Sequence, residues 1–135
     1  LFPTAGGFSA RGKQNMRKAA WKKKIMEQCE AVGTYRDAFL PVIETLACTL
    51  ELRDGVYAAF CKDGSRAAVS YTNKAGAENM VKNPLLVQLD ELNKSALGYW
   101  RDLGLTPAGL KKIDEKAMQA KKKTGVEKVL MELDG

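Results

Sequence analysis

The side chains that most often do chemistry at neutral pH are thinly supplied in this sequence. It contains no histidine, so a Ser/His/Asp or Cys/His nucleophile cannot be assembled and the commonest general base is missing. The cysteines Cys29, Cys48 and Cys61 have no CxxC spacing, and without histidine a Cys/His zinc site is not expected. Cys29 and Cys48 fall on the apolar side of helical patterns and read as reduced core thiols. The carboxylates Glu27, Glu30, Asp37, Glu44, Glu51, Asp54, Asp90 and Glu91 are of the type that holds Mg²⁺ in a nuclease, but their spacings suit solvated helix faces. No GxxxxGK[ST] loop occurs, and the glycines at 6, 7, 12, 55, 64 and 76 do not form GxGxxG. No nucleotide-binding signature is present. The expectation is a protein that is not an enzyme and uses no metal or cofactor.

What remains is the chemistry of positive charge. Lysine and arginine total 22 against 16 acidic residues, a formal net charge of +6. Such an excess favours an anionic partner, because Lys and Arg displace counterions from a polyphosphate. The charge is gathered near the ends of the chain. From Arg11 to Lys24 every charged side chain is positive: Arg11, Lys13, Arg17, Lys18, Lys22, Lys23 and Lys24. A second run is Lys121, Lys122 and Lys123, interspersed with Asp114, Glu115 and Glu127. These residues are the candidate DNA contacts, the N-terminal group foremost. Trp21, Tyr57, Phe60 and Trp100 sit inside helical apolar patterns and read as core or interface anchors, whereas Tyr35 and Tyr71 lie near loops where base stacking is open to them.

The elements that must position these residues follow from periodicity. A chain of 135 residues suits one domain with tails. No uninterrupted apolar stretch approaches the roughly 20 residues of a membrane-spanning helix, so a soluble protein is expected. Leu1 to Ala10 lacks a basic-then-apolar secretory pattern. Residues 1–16 read as a flexible N-terminal arm, with Pro3, Gly6 and Gly7 breaking any periodicity. A first helix is expected from about Arg17 to Val32, with Trp21, Ile25, Cys29 and Val32 on one face and Gly33 as its stop. A second should run from about Asp37 to Cys61 through Phe39, Val42, Ile43, Leu46, Leu50 and Tyr57. Lys62 to Asn79 reads as a loop or small hairpin. Asn83 and Pro84 open a third helix lined by Leu86, Leu89, Leu92, Ala96, Trp100 and Leu103, which Gly104 ends. Thr106 and Pro107 start a short helix to about Ile113, and 114–135 reads as a basic helix or tail. The expected fold is mainly α. Its helical domain, 17–113, holds a long antiparallel helix pair, a loop or hairpin insert, and a short C-terminal helix plus tail.

From Trp21 onward the order of these features resembles the small terminase subunits of long-tailed bacteriophages. The first helix carries a Trp and closes in Ala31-Val32-Gly33-Thr34-Tyr35-Arg36-Asp37. A long helix follows through Leu40-Pro41 to Lys62-Asp63-Gly64. Then come Thr72-Asn73-Lys74-Ala75-Gly76-Ala77, Asn83-Pro84-Leu85, and the most specific piece, Leu103-Gly104-Leu105-Thr106-Pro107. The resemblance covers roughly residues 18–113. One departure is that an Arg usually follows the Leu-Thr-Pro soon after, whereas here Ala108, Gly109 and Leu110 precede Lys111 and Lys112.

The resemblance implies a non-catalytic, ring-forming homo-oligomer that binds double-stranded viral DNA at the packaging start. It also implies that the chain recruits and regulates the large terminase subunit, which supplies the ATPase and nuclease. The expected place is the cytoplasm of the infected bacterial host, outside the mature virion, with no membrane partner. The alternative from another class is a stand-alone helical transcription regulator, since short helices and a basic face also suit duplex binding.

Overall fold

The computed structural model describes residues 16–134. It is mainly α, with four α-helices and one two-stranded ribbon among those residues. Helix α1, Lys18–Val32, turns its Ile25 and Cys29 fully inward. It stops where expected. Gly33 adopts φ 79°, and its N–H and that of Thr34 bond back to the Glu30 and Cys29 carbonyls at 3.2 and 2.9 Å. That left-handed turn favours glycine, because a Cβ would crowd the backbone.

A 3-10 turn over Asp37–Phe39 precedes helix α2, Leu40–Lys62. The α-helix therefore begins three residues later than its apolar spacing suggests. Pro41 falls in its first turn, where the missing amide hydrogen costs no intrahelical bond. Ile43, Leu46, Ala47 and Leu50 are fully buried and form the centre of the core, at the spacing of a single helical face. Phe39 and Tyr57, expected on that face, are instead 40% and 59% exposed. Tyr57 lies beyond Glu51 and Asp54, where the start of α1 meets α2.

The segment after α2 is a hairpin. Strands β1, Ala68–Thr72, and β2, Glu78–Lys82, pair antiparallel with Val69 opposite Val81. Asn73 makes the turn, its side-chain oxygen accepting from the N–H groups of Ala75 and Ala77 at 3.0 and 2.9 Å. At the ribbon's base, Asn83 donates its N–H to the Ala67 carbonyl at 2.9 Å, so the chain returns close to where it left α2. Helix α3, Pro84–Asp102, thus runs back antiparallel along α2. Ala96 and Leu103 complete the core, with Tyr99, Trp100 and Leu105 packed against it. Leu86, Leu89 and Leu92 are only partly buried.

Helix α4 takes the helical one of the two readings open for 114–135. It runs unbroken over 28 residues, Pro107–Asp134, joining that segment to the short helix expected to end near Ile113. The continuation is rich in Lys, Ala, Met, Gln and Glu, which are strong helix formers, and a single interior Gly125 costs only about 1 kcal/mol relative to Ala. Every residue from Asp114 to Leu133 is exposed. Among the cysteines Cys29 is buried, but Cys48 and Cys61 are exposed. The reading of Cys48 as a core thiol is corrected accordingly: it follows the buried Ala47 by one residue and so points off the apolar face.

Candidate nucleic-acid interface

Helix α1 displays the larger group of candidate cations. Arg17 is its N-cap residue, in extended conformation, and no acidic residue stands in the first turn. Positive side chains therefore crowd the end where the helix dipole is itself positive, an arrangement that costs free energy locally and draws anions. Arg17, Lys18, Lys23 and Lys24 are exposed. With Ile25 and Cys29 facing the core, the 100° helical step puts Lys23 on the outward side. Arg11 and Lys13 lie outside the described residues.

Acidic residues that are remote in sequence answer part of this charge. Lys22 forms an ion pair with Glu44 of α2 at 2.9 Å, both side chains remaining partly exposed. The hydrogen bond and charge of Lys22, with a smaller contribution from Lys18, hold the Glu44 carboxyl below the usual carboxylate range. Glu51 accepts the backbone N–H of Lys18 at 2.6 Å and so caps α1 from across the helix interface. Glu27 and Glu30 occupy the later turns of α1 and are exposed. The basic surface is thus confined to the first two turns.

A third set of interactions positions α1. The Trp21 indole N–H donates to the Asp54 carboxylate at 2.8 Å. The Arg53 guanidinium lies 5.6 Å from the Trp21 ring centroid and 5.9 Å from that of Trp100, within cation–π reach of both. Lys24 approaches the Trp21 ring at 5.2 Å. Trp21 and Trp100 are therefore interface anchors between α1, α2 and α3, as their spacing suggests, and Arg53 is the anchor that spacing does not reveal. Phe60 is buried; Tyr71 is 56% exposed on the ribbon, and Tyr35 is half-buried, its hydroxyl donating to Asp37 at 3.1 Å.

Lys121, Lys122 and Lys123 stand on α4, all exposed. Among the described residues no ion pair involves α4; the pairs are Lys22–Glu44, Arg53–Asp54, Arg66–Asp63 and Lys94–Asp90. Neighbours in sequence thus mislead in both directions: the α1 run is partly answered in space, and the α4 run, with acids nearby in sequence, is not. Among the described residues no group of three or more His, Cys, Asp or Glu side chains is gathered closely enough to hold a metal ion. No described helix is long and apolar enough to cross a membrane.

The joint that carries α4 is tightly built. Gly104 has φ 73°, and a Cβ there would stand 2.9 Å from the Ile113 side chain and 3.0 Å from that of Thr34. The buried Thr34 hydroxyl donates to the Leu103 carbonyl at 2.7 Å. Thr106 caps α4 by accepting the Gly109 N–H at 3.1 Å. Gly109, part of the departure from the family pattern, is buried, and a Cβ on it would lie 2.2 Å from the Arg101 carbonyl oxygen.

With this geometry in place, comparison with known proteins adds one finding. A family model described as phage terminase, small subunit, matches residues 18–120. The match starts at the first residue of α1 and stops just before Lys121. No curated protein matches the chain. No solved structure does either.

Proposed function

This chain belongs to the phage terminase small-subunit family, and on that premise we propose that it binds double-stranded viral DNA at the packaging start and hands it to the large terminase subunit. A part in packaging phage DNA is what the family match supports. In this reading the chain forms a cyclic homo-oligomer, works in the cytoplasm of the infected host, and carries no catalytic activity of its own. It acts by binding DNA and by regulating the ATPase and nuclease of its partner. The alternative of a stand-alone transcription regulator rests on the same helical basic surface, and the family match favours the packaging role over it.

One observation carries the DNA reading: the first two turns of α1 present Arg17, Lys18 and Lys23 exposed at the positive end of a helix. Phosphate contacts of this type give affinity without sequence choice. Repetition around a ring would multiply such weak contacts into useful avidity. The α4 lysines Lys121, Lys122 and Lys123 form a second, exposed basic segment. The test is reconstitution. Full-length chain added to its cognate large subunit should change the rate of ATP hydrolysis or DNA cutting, while the chain alone does neither with Mg²⁺ or Mn²⁺. Metal-dependent cutting by the chain alone, lost on substitution of specific carboxylates, would overturn the reading.

A further inference from the structure

Two uncovered surfaces of this chain match each other. The first is a groove of about 580 Å³ where α1 meets the end of α3 and the joint, lined by Trp21, Val32, Leu97, Trp100 and Leu105, with Lys24 beside them. Val32 and Leu97 are 39% and 49% exposed, and no carboxylate lines the groove. The second is the final stretch of α4. Val126, Val129, Leu130 and Leu133 are 60%, 55%, 55% and 76% exposed, and their spacing of three and four puts them in one stripe. At about 100° per residue, Glu127 and Glu132 border that stripe on opposite sides, Lys128 lies across the helix from it, and Lys122 and Lys123 stand one turn before Val126 on the stripe's side. An apolar stripe bordered at its far end by Glu127 and Glu132 is the complement of an apolar groove whose one charged lining residue, among the described residues, is Lys24.

We propose that the α4 stripe of one copy docks in the α1–α3 groove of a second copy. The proposal rests on the ring reading above and names the contact that would build the ring. The helix cannot fill its own groove. Pro107, the first residue of α4, itself lines the groove, and Val126 follows about 28 Å further along an unbroken helix. Docking also accounts for the order of α4. A helix exposed on all sides from Asp114 to Leu133 has no packing of its own to stabilise it, and the groove supplies that packing. Because groove and stripe are different surfaces, each added copy leaves one of each unfilled until a ring closes. The stripe lies beyond the segment that the family model matches, so the contact is inferred from this chain's own residues.

The test uses two full-length variants and native mass spectrometry at micromolar concentration. Leu97→Arg closes the groove and keeps the stripe. Val129→Gln with Leu130→Gln and Leu133→Gln removes the stripe and keeps the groove. Lys24→Glu serves as a second groove variant should Leu97→Arg lose the parent's circular dichroism. The parent is expected to be one discrete species above a tetramer, and each variant alone a monomer. A one-to-one mixture should give a single heterodimer and nothing larger, because only one competent groove and one competent stripe then meet. If both variants assemble as the parent does, the ring stands on other contacts and the proposal fails. It also fails if only the groove variant dissociates, which would assign the groove to another segment of a neighbouring copy, or if the mixture does not pair. A monomeric parent would sink the ring reading itself.

Discussion

The Lys22 ammonium and the Glu44 carboxylate lie 2.9 Å apart, joining the basic first turns of α1 to α2. One of the strongest DNA-contact candidates is therefore already engaged. Glu44→Gln should release Lys22 and remove a negative charge beside the basic surface. Tighter DNA binding at low salt is expected, with the log–log salt dependence steepening by up to about 0.9 if Lys22 gains one phosphate. A filter or fluorescence titration at several salt concentrations measures both. Unchanged affinity and slope would mean that this side of α1 does not face DNA.

The same pair sets a pH dependence. Because Lys22 lowers the Glu44 pKa in the folded chain, the pair's contribution is complete above the ordinary carboxylate range and fades as pH falls through the depressed folded value. The pair is exposed, so the effect on stability is small. Thermal melts of the parent and of Glu44→Gln should differ near neutral pH and converge in acid. A difference that grows as pH falls has the wrong sign for this ion pair.

Asn83 should prove a larger stability determinant than a simple cap. It is 2% exposed. Its side-chain oxygen accepts the Leu85 N–H at 3.0 Å, and its side-chain nitrogen donates to the Arg66 carbonyl at 2.8 Å. Asn83→Ala loses both bonds and should cost about 2 kcal/mol in chemical unfolding, since cap loss alone costs about 1 and the lost bond to the part-buried Arg66 carbonyl adds a similar amount. Asn83→Asp keeps the cap but sets a carboxylate oxygen against the Arg66 carbonyl in a buried site, so it should cost at least as much as losing that bond alone. Parental stability in Asn83→Asp would show that the bond to Arg66 contributes nothing.

Gly109 tests the joint. With the Arg101 carbonyl oxygen 2.2 Å from where a Cβ would stand, Gly109→Ala must push α4 away from α3. A loss of about 1–3 kcal/mol is expected, the usual range for overpacking. Thr106→Ala removes only the cap and should cost about 1 kcal/mol. Urea unfolding distinguishes the two. Gly109→Ala with parental stability would contradict the close approach of the two helices.

The contrast between these positions shows what the sequence could reveal. Gly33, Asn83-Pro84 and Thr106-Pro107 were legible because capping is local chemistry, written within a few residues. Ile25, Ile43, Leu46 and Leu50 were legible because helical spacing names a buried face. Lys22 with Glu44, and Trp21 with Asp54, were not, since each pair lies on different helices and only the packing of α1 on α2 brings it together. Phe39, Cys48 and Tyr57 misled because an apolar or near-apolar position is buried only where a neighbouring helix covers it. Helix α4 was half legible: its composition favours a helix, but no apolar face against the core marks its far end. Arg11 and Lys13 lie beyond the described residues, so the arm's share of the candidate interface rests on charge alone.

The most direct measurement is the salt dependence of binding to duplex DNA by chain carrying Arg17→Gln, Lys18→Gln and Lys23→Gln together, with its oligomeric state checked by native mass spectrometry. All three side chains are exposed on the basic end of α1, and none lines the α1–α3 groove. Affinity should fall for unrelated DNA sequences alike, and the log–log slope should flatten by about 0.9 for each phosphate that the chain no longer neutralises. Affinity and slope both at parental values, with the assembly intact, would contradict an α1 interface and leave Lys111, Lys112 and Lys121 to Lys123 on α4 to carry the DNA.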